Sequence, residues 1–468
     1  MRAILATVSA LATALALAAC ATGPDYVAPQ TPAAAAGPFL STSTAIDPTA
    51  PASDRWWQLY DDPVLDGLVT DALTANTDLR VAAARLARAR ASLREVRGDR
   101  QPQGNVSASG NYGRVSEIQT IPGVDREGWR VDGGLNVSYE VDLFGRISRN
   151  VEAARGDVGA AQADLDAVRV SIAAETARAY ADAASAAERI AVAERIVALI
   201  DRSLGVTSNR AKVGLTTGLD TARIAALRDQ RLADIPAIRA QRQAALFRLA
   251  TLTGRAPADL PPIAAARTTT LRLDRPIPIG DGAQLLARRP DVRAAERRLA
   301  AATARIGVAT ADLYPKISLG GSIGQTSTGL GDLFGGGPLR WLLGPLINWN
   351  VNPTKARARI AGAEADTQAA LATFDGTVLQ ALEESETALS TYANALQRRT
   401  ALQSARDAAA AAARITRAQQ REGQIDSLVA LDAERTLADT EATLALADAQ
   451  IATAQVDVFR ALGGGWAA

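Results

Sequence analysis

The chain is an internal duplication, which limits it to folds built from two copies of one unit. Five positions of the first copy recur 213 residues later, and four more recur 209 residues later. Self-similarity at a fixed spacing predicts repeated supersecondary units rather than a chance match of alanines. The recurring positions are Asp78, Arg80, Leu86, Ala91 and Pro102 with Asp291, Arg293, Leu299, Ala304 and Pro315, then Glu175, Gly214, Leu219 and Gly254 with Glu384, Gly423, Leu428 and Gly463.

Each repeat is predicted to contain a helix, two short strands and a long helical hairpin. The first repeat covers 61–263 and the second covers 264–468. A signal peptide at 1–19 and an N-terminal segment at 20–60 precede them. The opening helix of the first repeat is predicted from Asp66 to Arg97, because Gly98 and Pro102 end the helical pattern.

Two segments in each repeat alternate apolar and polar residues, which is the pattern of a strand with two different faces. They lie at about 103–114, 129–143, 316–326 and 340–351. Such strands fit either a half-buried sheet of a soluble protein or the wall of a transmembrane barrel. In the second segment the apolar side holds Trp129, Val131, Leu135 and Val137, and the polar side holds Arg130, Asp132, Asn136 and Ser138.

Aromatic residues near the strand ends favour the barrel, since aromatic girdles mark the two membrane interfaces. Four strands cannot close a barrel, because the smallest membrane barrels have about eight strands and hydrocarbon does not tolerate an open sheet edge. The chain is therefore expected to oligomerise, and a trimer would supply about twelve strands. The predicted girdle consists of Trp129, Tyr139, Phe144, Trp341 and Trp349.

Long stretches with almost no proline follow each pair of strands and are predicted to form coiled-coil hairpins. In the last helix two rows of residues recur with a heptad-like period, so the helix has two packing seams. Two seams suit the wall of a helical tube, although an ordinary antiparallel bundle shares this periodicity. Pro236 is expected to kink its helix near Ile235. The first seam holds Leu437, Leu444, Ile451 and Val458 with Thr440, Ala447, Ala454 and Ala461 between them, and the second holds Leu428, Leu431, Arg435, Ala438, Ala442, Ala445, Ala449, Ala452 and Val456.

The chain contains no histidine, which removes the commonest general base and metal ligand. Its lysines, Lys212, Lys316 and Lys355, do not follow glycine, so a phosphate-binding loop of the Gly-Lys-Ser/Thr type is missing. A net charge of +1 gives no reason to expect nucleic acid as a partner. We therefore expect no enzymatic activity, no metal and no cofactor other than a covalent lipid.

The N-terminus starts with Arg2 and continues without charge to Pro24, as a secretory signal does. Its end, Leu-Ala-Ala followed by Cys20, resembles a bacterial lipobox, in which the signal is cut before a cysteine that is then acylated. The alternative is a chance thiol in a removed signal peptide. Alanine at position 21 resembles the pattern of lipoproteins sent to the outer membrane. No later uncharged run is long and apolar enough to cross a bilayer as a helix.

Several long motifs, spread over essentially the whole mature chain, resemble those of the TolC/NodT-type outer-membrane factor lipoproteins. The resemblance implies a TolC-like fold, mainly α with a transmembrane β-barrel. In that fold a homotrimer joins a twelve-stranded barrel in the outer membrane to a twelve-helix tube, or α-barrel, across the periplasm. The motifs are GPDYVAP from Gly23, DRWWQLYDDPVLDGLV from Asp54, YEVDLFGR from Tyr139, GLTTGLD from Gly214, RRPDVRAAERRL from Arg288 and ALGGGW from Ala461.

One segment departs from the family pattern. Where the family has a Phe-Asp-x-Gly-Arg element after the fourth strand, this chain reads WNVNPTKARARI from Trp349 and is about one residue shorter. The geometry of the join between strand and helix near Asn352–Lys355 therefore cannot be read from the sequence.

The resemblance also implies a function, that of the outer-membrane channel subunit of a tripartite efflux system. Such a subunit is a lipid-anchored, passive conduit for drugs or other solutes. Its partners are two further copies, a periplasmic adaptor protein and an inner-membrane RND or ABC transporter. Two alternatives stay open, the outlet of a type I protein secretion system and a periplasmic coiled-coil scaffold lipoprotein without a pore.

The resemblance places functional residues at the hairpin tips and beside them. The family's aperture positions are occupied here by Leu428, Asp432 and Arg435, and the position of an acidic ring in some relatives by Val429. The carboxylate of Asp432 can pair with Arg435 across one turn or with a neighbouring helix, although a solvated charged face is the alternative. The tip residues expected to contact the adaptor are Arg210, Gly214, Leu215, Gly218, Gly423 and Gln424.

Overall fold

The computed structural model describes residues 21–30, 35–41, 43–119, 125–327 and 339–464. Cys20 and the signal peptide predicted before it lie outside these residues. The helices are α1 Pro63–Ala75, α2 Thr77–Gly98, α3 Arg146–Lys212, α4 Gly218–Leu252, α5 Gly282–Arg288, α6 Pro290–Ala311, α7 Pro353–Arg421 and α8 Ser427–Ala461. The strands are β1 Ile46–Asp47, β2 Gln103–Arg114, β3 Glu127–Val141, β4 Ile277–Pro278, β5 Lys316–Ser327 and β6 Leu339–Asn348.

Contacts divide the chain into two compact units. One takes the described residues of Met1–Pro29, Arg85–Ala161 and Ala294–Phe374. The other takes the described residues of Gln30–Ala84, Gln162–Arg293 and Asp375–Ala468. In the part of the chain that the structure describes, no helix combines the length and the apolar character needed to cross a membrane.

The first unit contains an antiparallel sheet in the order β2-β3-β5-β6, so that β2 and β6 are its edge strands. Its register aligns Val106, Leu135, Ile323 and Trp341 in one row across the four strands. Because successive residues point to opposite faces, that row belongs to an apolar face and the next row to a polar one. The alternation in the sequence therefore becomes one continuous apolar face rather than four separate stripes.

The ends of two strands differ from those predicted. β3 stops at Val141 instead of position 143, because the carboxylate of Asp142 accepts hydrogen bonds from the backbone of Ile147 and Ser148 and starts α3. β6 stops at Asn348 instead of position 351. There the side chain of Asn352 accepts a hydrogen bond from the backbone of Lys355 at 3.0 Å, which caps α7. The short join that departs from the family pattern is thus closed by an asparagine cap.

The segment that follows position 20 is held tightly in the first unit. Arg149 donates to the carbonyl of Thr22 at 3.1 Å and to the carboxylate of Asp25 at 2.6 Å. A Cβ added to Gly145, whose φ is +75°, would lie 2.7 Å from Cβ of Ala21. Only glycine leaves room for the N-terminal segment at that point, where β3 leads into α3.

The second unit is built from helical hairpins packed through both predicted seams. The large residues of the first seam are buried from Leu437 to Val458. The second seam is buried only in part: Ala438, Ala445, Ala452 and Val456 are buried, whereas Leu428, Arg435 and Ala442 are exposed. A core cluster joins α3, α4 and α8, and α4 runs without interruption through Pro236. The cluster consists of Val192, Ile196, Ile200, Ile224, Leu227, Ala438 and Ala445.

The prediction of one helix from Asp66 to Arg97 is wrong, because the helical conformation is interrupted at Asn76. This residue has φ −60° and ψ 137°, and it separates α1 from α2. Its side-chain oxygen accepts a hydrogen bond from the backbone of Asp78 at 2.8 Å and so caps α2. Asparagine competes for backbone donors in this way and favours helix starts over helix interiors.

The two repeats share a clamp at the end of each hairpin. The amide of Asn76 donates to the carbonyl of Leu252 at 3.0 Å, where α4 ends. The guanidinium of Arg289, 213 positions after Asn76, donates to the carbonyl of Ala461 at 3.0 Å, where α8 ends. Both repeats therefore have a side-chain donor at this point, an amide in the first repeat and a cation in the second.

Candidate functional site

The two hairpin tips have the same backbone conformation. Gly214 follows α3 with φ +76°, and Gly423 follows α7 with φ +71°. The next residue in each tip, Leu215 or Gln424, donates its backbone N–H back to the helix at 2.9 Å. This is the glycine-terminated helix end that the repeated sequence predicts. The tips are consequently tight and open directly into the next helix.

The first tip carries more apolar surface than its polar sequence context suggests. The side chains of Val213, Leu215 and Leu219 are exposed by 69%, 75% and 58%. Gly218 begins α4 there, after a capping box in which Thr217 and Asp220 bond each other's backbone. Hydrogen bonds from the Thr217 and Thr216 side chains lower the pKa of the Asp220 carboxyl, so the box stays charged at neutral pH.

The second tip begins differently. Asp426 precedes α8 but makes no side-chain capping hydrogen bond. Arg210, predicted among the tip contacts, donates to the carbonyl of Gln420 at 3.1 Å and so links the end of α3 to the end of α7. Of the predicted tip residues, Leu215 is the one whose side chain projects as a large exposed apolar group.

The predicted aperture residues lie on one exposed face of α8. Leu428 is 46% exposed, and the side chain of Arg435 is 66% exposed. Asp432 lies one turn after Leu428 and is also exposed. Within the chain, Arg435 approaches Asp439 at 4.0 Å, so the pairing predicted with Asp432 across one turn does not form. Asp439 also accepts a hydrogen bond from Arg231 of α4. This bond holds the carboxylate of Asp439 close to Arg435, which precedes it by one helical turn.

Sequence reasoning missed a buried carboxylate on α8, that of Glu434, two residues after Asp432. Glu434 is only 8% exposed. Its oxygens accept from the hydroxyl of Ser203 at 2.8 and 2.9 Å and from Nε of Arg417 at 3.1 Å. Glu434 therefore links α8 to α3 and α7 by hydrogen bonds. It follows Asp432 by two residues, a rotation of about 200° around the helix, so the two side chains point in opposite directions. The available signal was its place in the row between the buried residues Ala430 and Leu437.

The apolar face of the sheet is open to its surroundings. Trp341 is 73% exposed, Leu343 76% and Ile347 70%, and all three lie on β6. Trp129 and Tyr139 of the predicted girdle lie on the same face. A contiguous apolar area of this kind marks an interface with protein or membrane.

The other two predicted girdle residues lie outside the strands. The ring of Phe144 stacks on Tyr314 with centroids 4.6 Å apart. Nε1 of Trp349 donates to the carbonyl of Leu313 at 3.2 Å. Both rings therefore lie where strands pass into helices, with Phe144 half-buried and Trp349 54% exposed. Among the described residues, no group of three cysteine, aspartate or glutamate side chains is placed to hold a metal ion.

Comparisons with known proteins agree along nearly the full chain. The family model described as outer membrane efflux protein matches residues 68–255 and 282–464. The antibiotic efflux pump outer membrane protein ArpC of Pseudomonas putida is 31% identical over 97% of this chain and 94% of its own length. The outer membrane protein OprJ of Pseudomonas aeruginosa is 32% identical over 98% of this chain and 96% of its own length.

A solved structure agrees with the sequence relatives. The structure of the outer-membrane channel OprN superposes with a TM-score of 0.88 at 38% sequence identity. The match covers 96% of this chain and 100% of that one.

Proposed function

This chain belongs to the outer membrane efflux protein family, and on that premise we propose that three copies of it form an export channel in a bacterial outer membrane. The family match agrees with the motifs that run from Gly23 to Ala461. The fold is that of the outer-membrane channel OprN, mainly helical with one four-stranded sheet. Relatives of similar length are named as outer membrane components of efflux pumps, which supports a role in efflux.

The exposed apolar face of the sheet carries this proposal. A row such as Val106, Leu135, Ile323 and Trp341 would face water in a lone soluble subunit, at a cost of roughly 25 cal/mol for each Å² of apolar area. Lipid removes that cost. The unpaired backbone groups on the outer sides of β2 and β6 would then require strands from neighbouring copies, since lipid does not satisfy them. Three copies give a closed wall of about twelve strands with the polar face inside.

The channel acts as a passive conduit in this proposal. Its adaptor binds at the hairpin tips, where Val213, Leu215 and Leu219 offer apolar contact area. An inner-membrane RND or ABC transporter supplies the energy, and the choice of cargo lies mainly with that transporter. The name of ArpC supports antibiotics as one class of cargo. The exposed apolar sheet argues against a scaffold lipoprotein without a pore, which would need no such surface.

A pair of charge substitutions on opposite faces of the sheet tests this arrangement. Leu343→Arg places a cation on the apolar face, whereas Ser107→Arg places one on the polar face. An arginine on the lipid side near the middle of the membrane costs about 2–4 kcal/mol, so Leu343→Arg should greatly reduce the amount of trimer in outer-membrane fractions. Ser107→Arg should leave the amount of trimer unchanged.

Planar-bilayer recording of the purified protein completes the test. Conducting trimers are expected from the wild type and from Ser107→Arg. A monomer that shows no conductance in any variant, together with equal yields of the two arginine variants, would exclude the channel. Genomic neighbours separate efflux from protein secretion, because the two systems use different pumps.

We also propose that Cys20 carries the lipid anchor. Arg149 holds Thr22 and Asp25, and Ala21 lies against Gly145 where β3 leads into α3, so the residue that follows Cys20 in sequence is fixed beside the sheet. Cys20→Ser is expected to abolish incorporation of labelled palmitate while the trimer still forms. Labelling of Cys20→Ser at the wild-type level would refute the lipobox.

A further inference from the structure

Two leucines interrupt the polar face of the sheet. Leu342 is 63% exposed and stands in a row with Asn105, Asn136 and Ser322. Leu346 is 51% exposed and stands in the row of Glu140 and Ser318. Both side chains lie on the face opposite to Trp341 and Leu343, because strand residues alternate. Neither leucine contributes to the apolar face that the proposed function assigns to lipid.

The first repeat shows that the fold does not need these leucines. β6 is the copy of β3 at a spacing of 210 residues, because Gln103 pairs with Ser138 and its copy Lys316 pairs with Asn348. At that spacing, Asp132 and Asn136 stand where the second repeat has Leu342 and Leu346. The strand pairs correctly in both repeats, so the leucines serve something other than strand formation.

A cavity of about 400 Å³ lies between the two leucines. Its floor is a row of two glycines, Gly320 and Gly344, with Ser138 and Gln103 beyond them. A Cβ added to Gly344 would meet nothing within 4 Å, whereas one added to Gly320 would collide with Cδ1 of Leu346. Leu346 thus leans over one glycine, while the other leaves open space.

The size and polarity of the cavity identify the kind of molecule that fits. The two leucines are four positions apart on β6, so their Cα atoms are about 13 Å apart, the length of a solute with two or three rings. The cavity is lined by amides, hydroxyls, glycine, valine, proline and leucine, and none of its lining residues is ionisable. An uncharged flat solute therefore contacts apolar side chains at both ends and keeps hydrogen-bond partners along its rim, as in small-molecule sites generally.

We propose that this cavity is a binding site for uncharged, flat, largely apolar solutes on their way through the channel. The inference rests on the proposed function, because it requires the polar face to line the bore. Each trimer then carries three such sites, one on each β6. They would retain neutral aromatic cargo briefly and leave charged cargo to the rest of the wall.

The test measures binding of N-phenyl-1-naphthylamine, an uncharged two-ring fluorescent dye, to the full-length trimer in lipid nanodiscs. Empty nanodiscs provide the signal of dye dissolved in lipid. Leu342→Asn with Leu346→Ser gives each position a polar residue type that its own row already contains. This double variant should raise the Kd for the dye at least about tenfold. Leu342→Ile with Leu346→Ile keeps the apolar area and should stay within about twofold of the wild type.

A second variant addresses the cavity itself. Gly344→Val fills the open space with a residue that suits strands and should raise the Kd although both leucines remain. Unchanged saturable binding in trimers of Leu342→Asn with Leu346→Ser, or in trimers of Gly344→Val, would overturn the inference, as would wild-type trimers without saturable binding. A wild type that stays monomeric and does not conduct would instead overturn the proposed function.

Discussion

The double substitution Asp432→Ala with Arg435→Ala is expected to raise the conductance of the channel several-fold. Both side chains are exposed on one face of α8, and among the described residues Arg435 has one ion-pair partner, Asp439, at 4.0 Å. In the proposed trimer their charges are therefore available to neighbouring copies. If each contact between copies contributes about 1 kcal/mol, three of them shift the ratio of open to closed channels by about 100-fold.

Single-channel recording in planar bilayers measures this effect. The matched control is Glu194→Ala with Arg239→Ala, which also removes one exposed acidic and one exposed basic side chain, here an ion pair of 2.8 Å between α3 and α4. The control should conduct like the wild type, because that pair is not on α8. An intact trimer of the Asp432 and Arg435 double variant with unchanged conductance would remove both residues from the aperture.

Substituting Arg289 by alanine is expected to lower the free energy of unfolding by about 3 kcal/mol. The guanidinium is 8% exposed and donates to Glu384 at 2.7 Å, to Asp291 at 2.6 Å and to the carbonyl of Ala461. Burial by itself would lower the pKa of Arg289, but the hydrogen bonds and charges of Asp291 and Glu384 raise it. The residue is thus a permanent cation at the end of α8.

Removing that cation leaves the two carboxylates without a cationic partner and takes the nearer donor from the carbonyl of Ala461. The carboxylates are about 40% exposed, so water compensates part of the loss, and we expect the lower end of the range for broken buried pairs. Arg289→Lys should recover only part of the stability, because lysine cannot reach three acceptors with a planar fork.

Thermal unfolding followed by circular dichroism provides the measurement. Arg297→Ala serves as the control, since this arginine of the same helix, α6, is 52% exposed and lies 3.7 Å from Glu296. The control should change the free energy of unfolding by less than about 0.5 kcal/mol. Equal melting temperatures for Arg289→Ala and Arg297→Ala would show that the clamp does not stabilise the second repeat.

Much of the fold followed from local patterns. The segment predicted at about 103–114 is β2, and glycines predicted to end helices do so at Gly214 and Gly423 with positive φ. These features depend on side-chain period and on the conformational freedom of glycine, which neighbours in sequence determine. The break at Asn76 was missed because a helix pattern on both sides hides a single capping residue.

The features of the candidate sites are likewise of two kinds, those that follow from local spacing and those that depend on distant residues. The positions of Leu428, Asp432 and Arg435 on one face of α8 follow from helical spacing, and their exposure agrees with it. The burial of Glu434 depends on Ser203, which lies 231 residues away, and on Arg417. The place of Glu434 in the row of Ala430 and Leu437 indicates the side of α8 on which it lies, but that row does not identify its partners, which only the tertiary structure shows.

The sequence by itself determined the duplication, the two-faced strands, the paired helical hairpins and the family, because each of these follows from periodicity or from long motifs. Only the tertiary structure decided which strand residues share a row, which charged groups are buried, and that Leu342 and Leu346 flank an open cavity on the polar face. The physical reason is that periodicity records the side of an element on which a residue lies. What that side meets depends on register and packing between segments that are hundreds of residues apart.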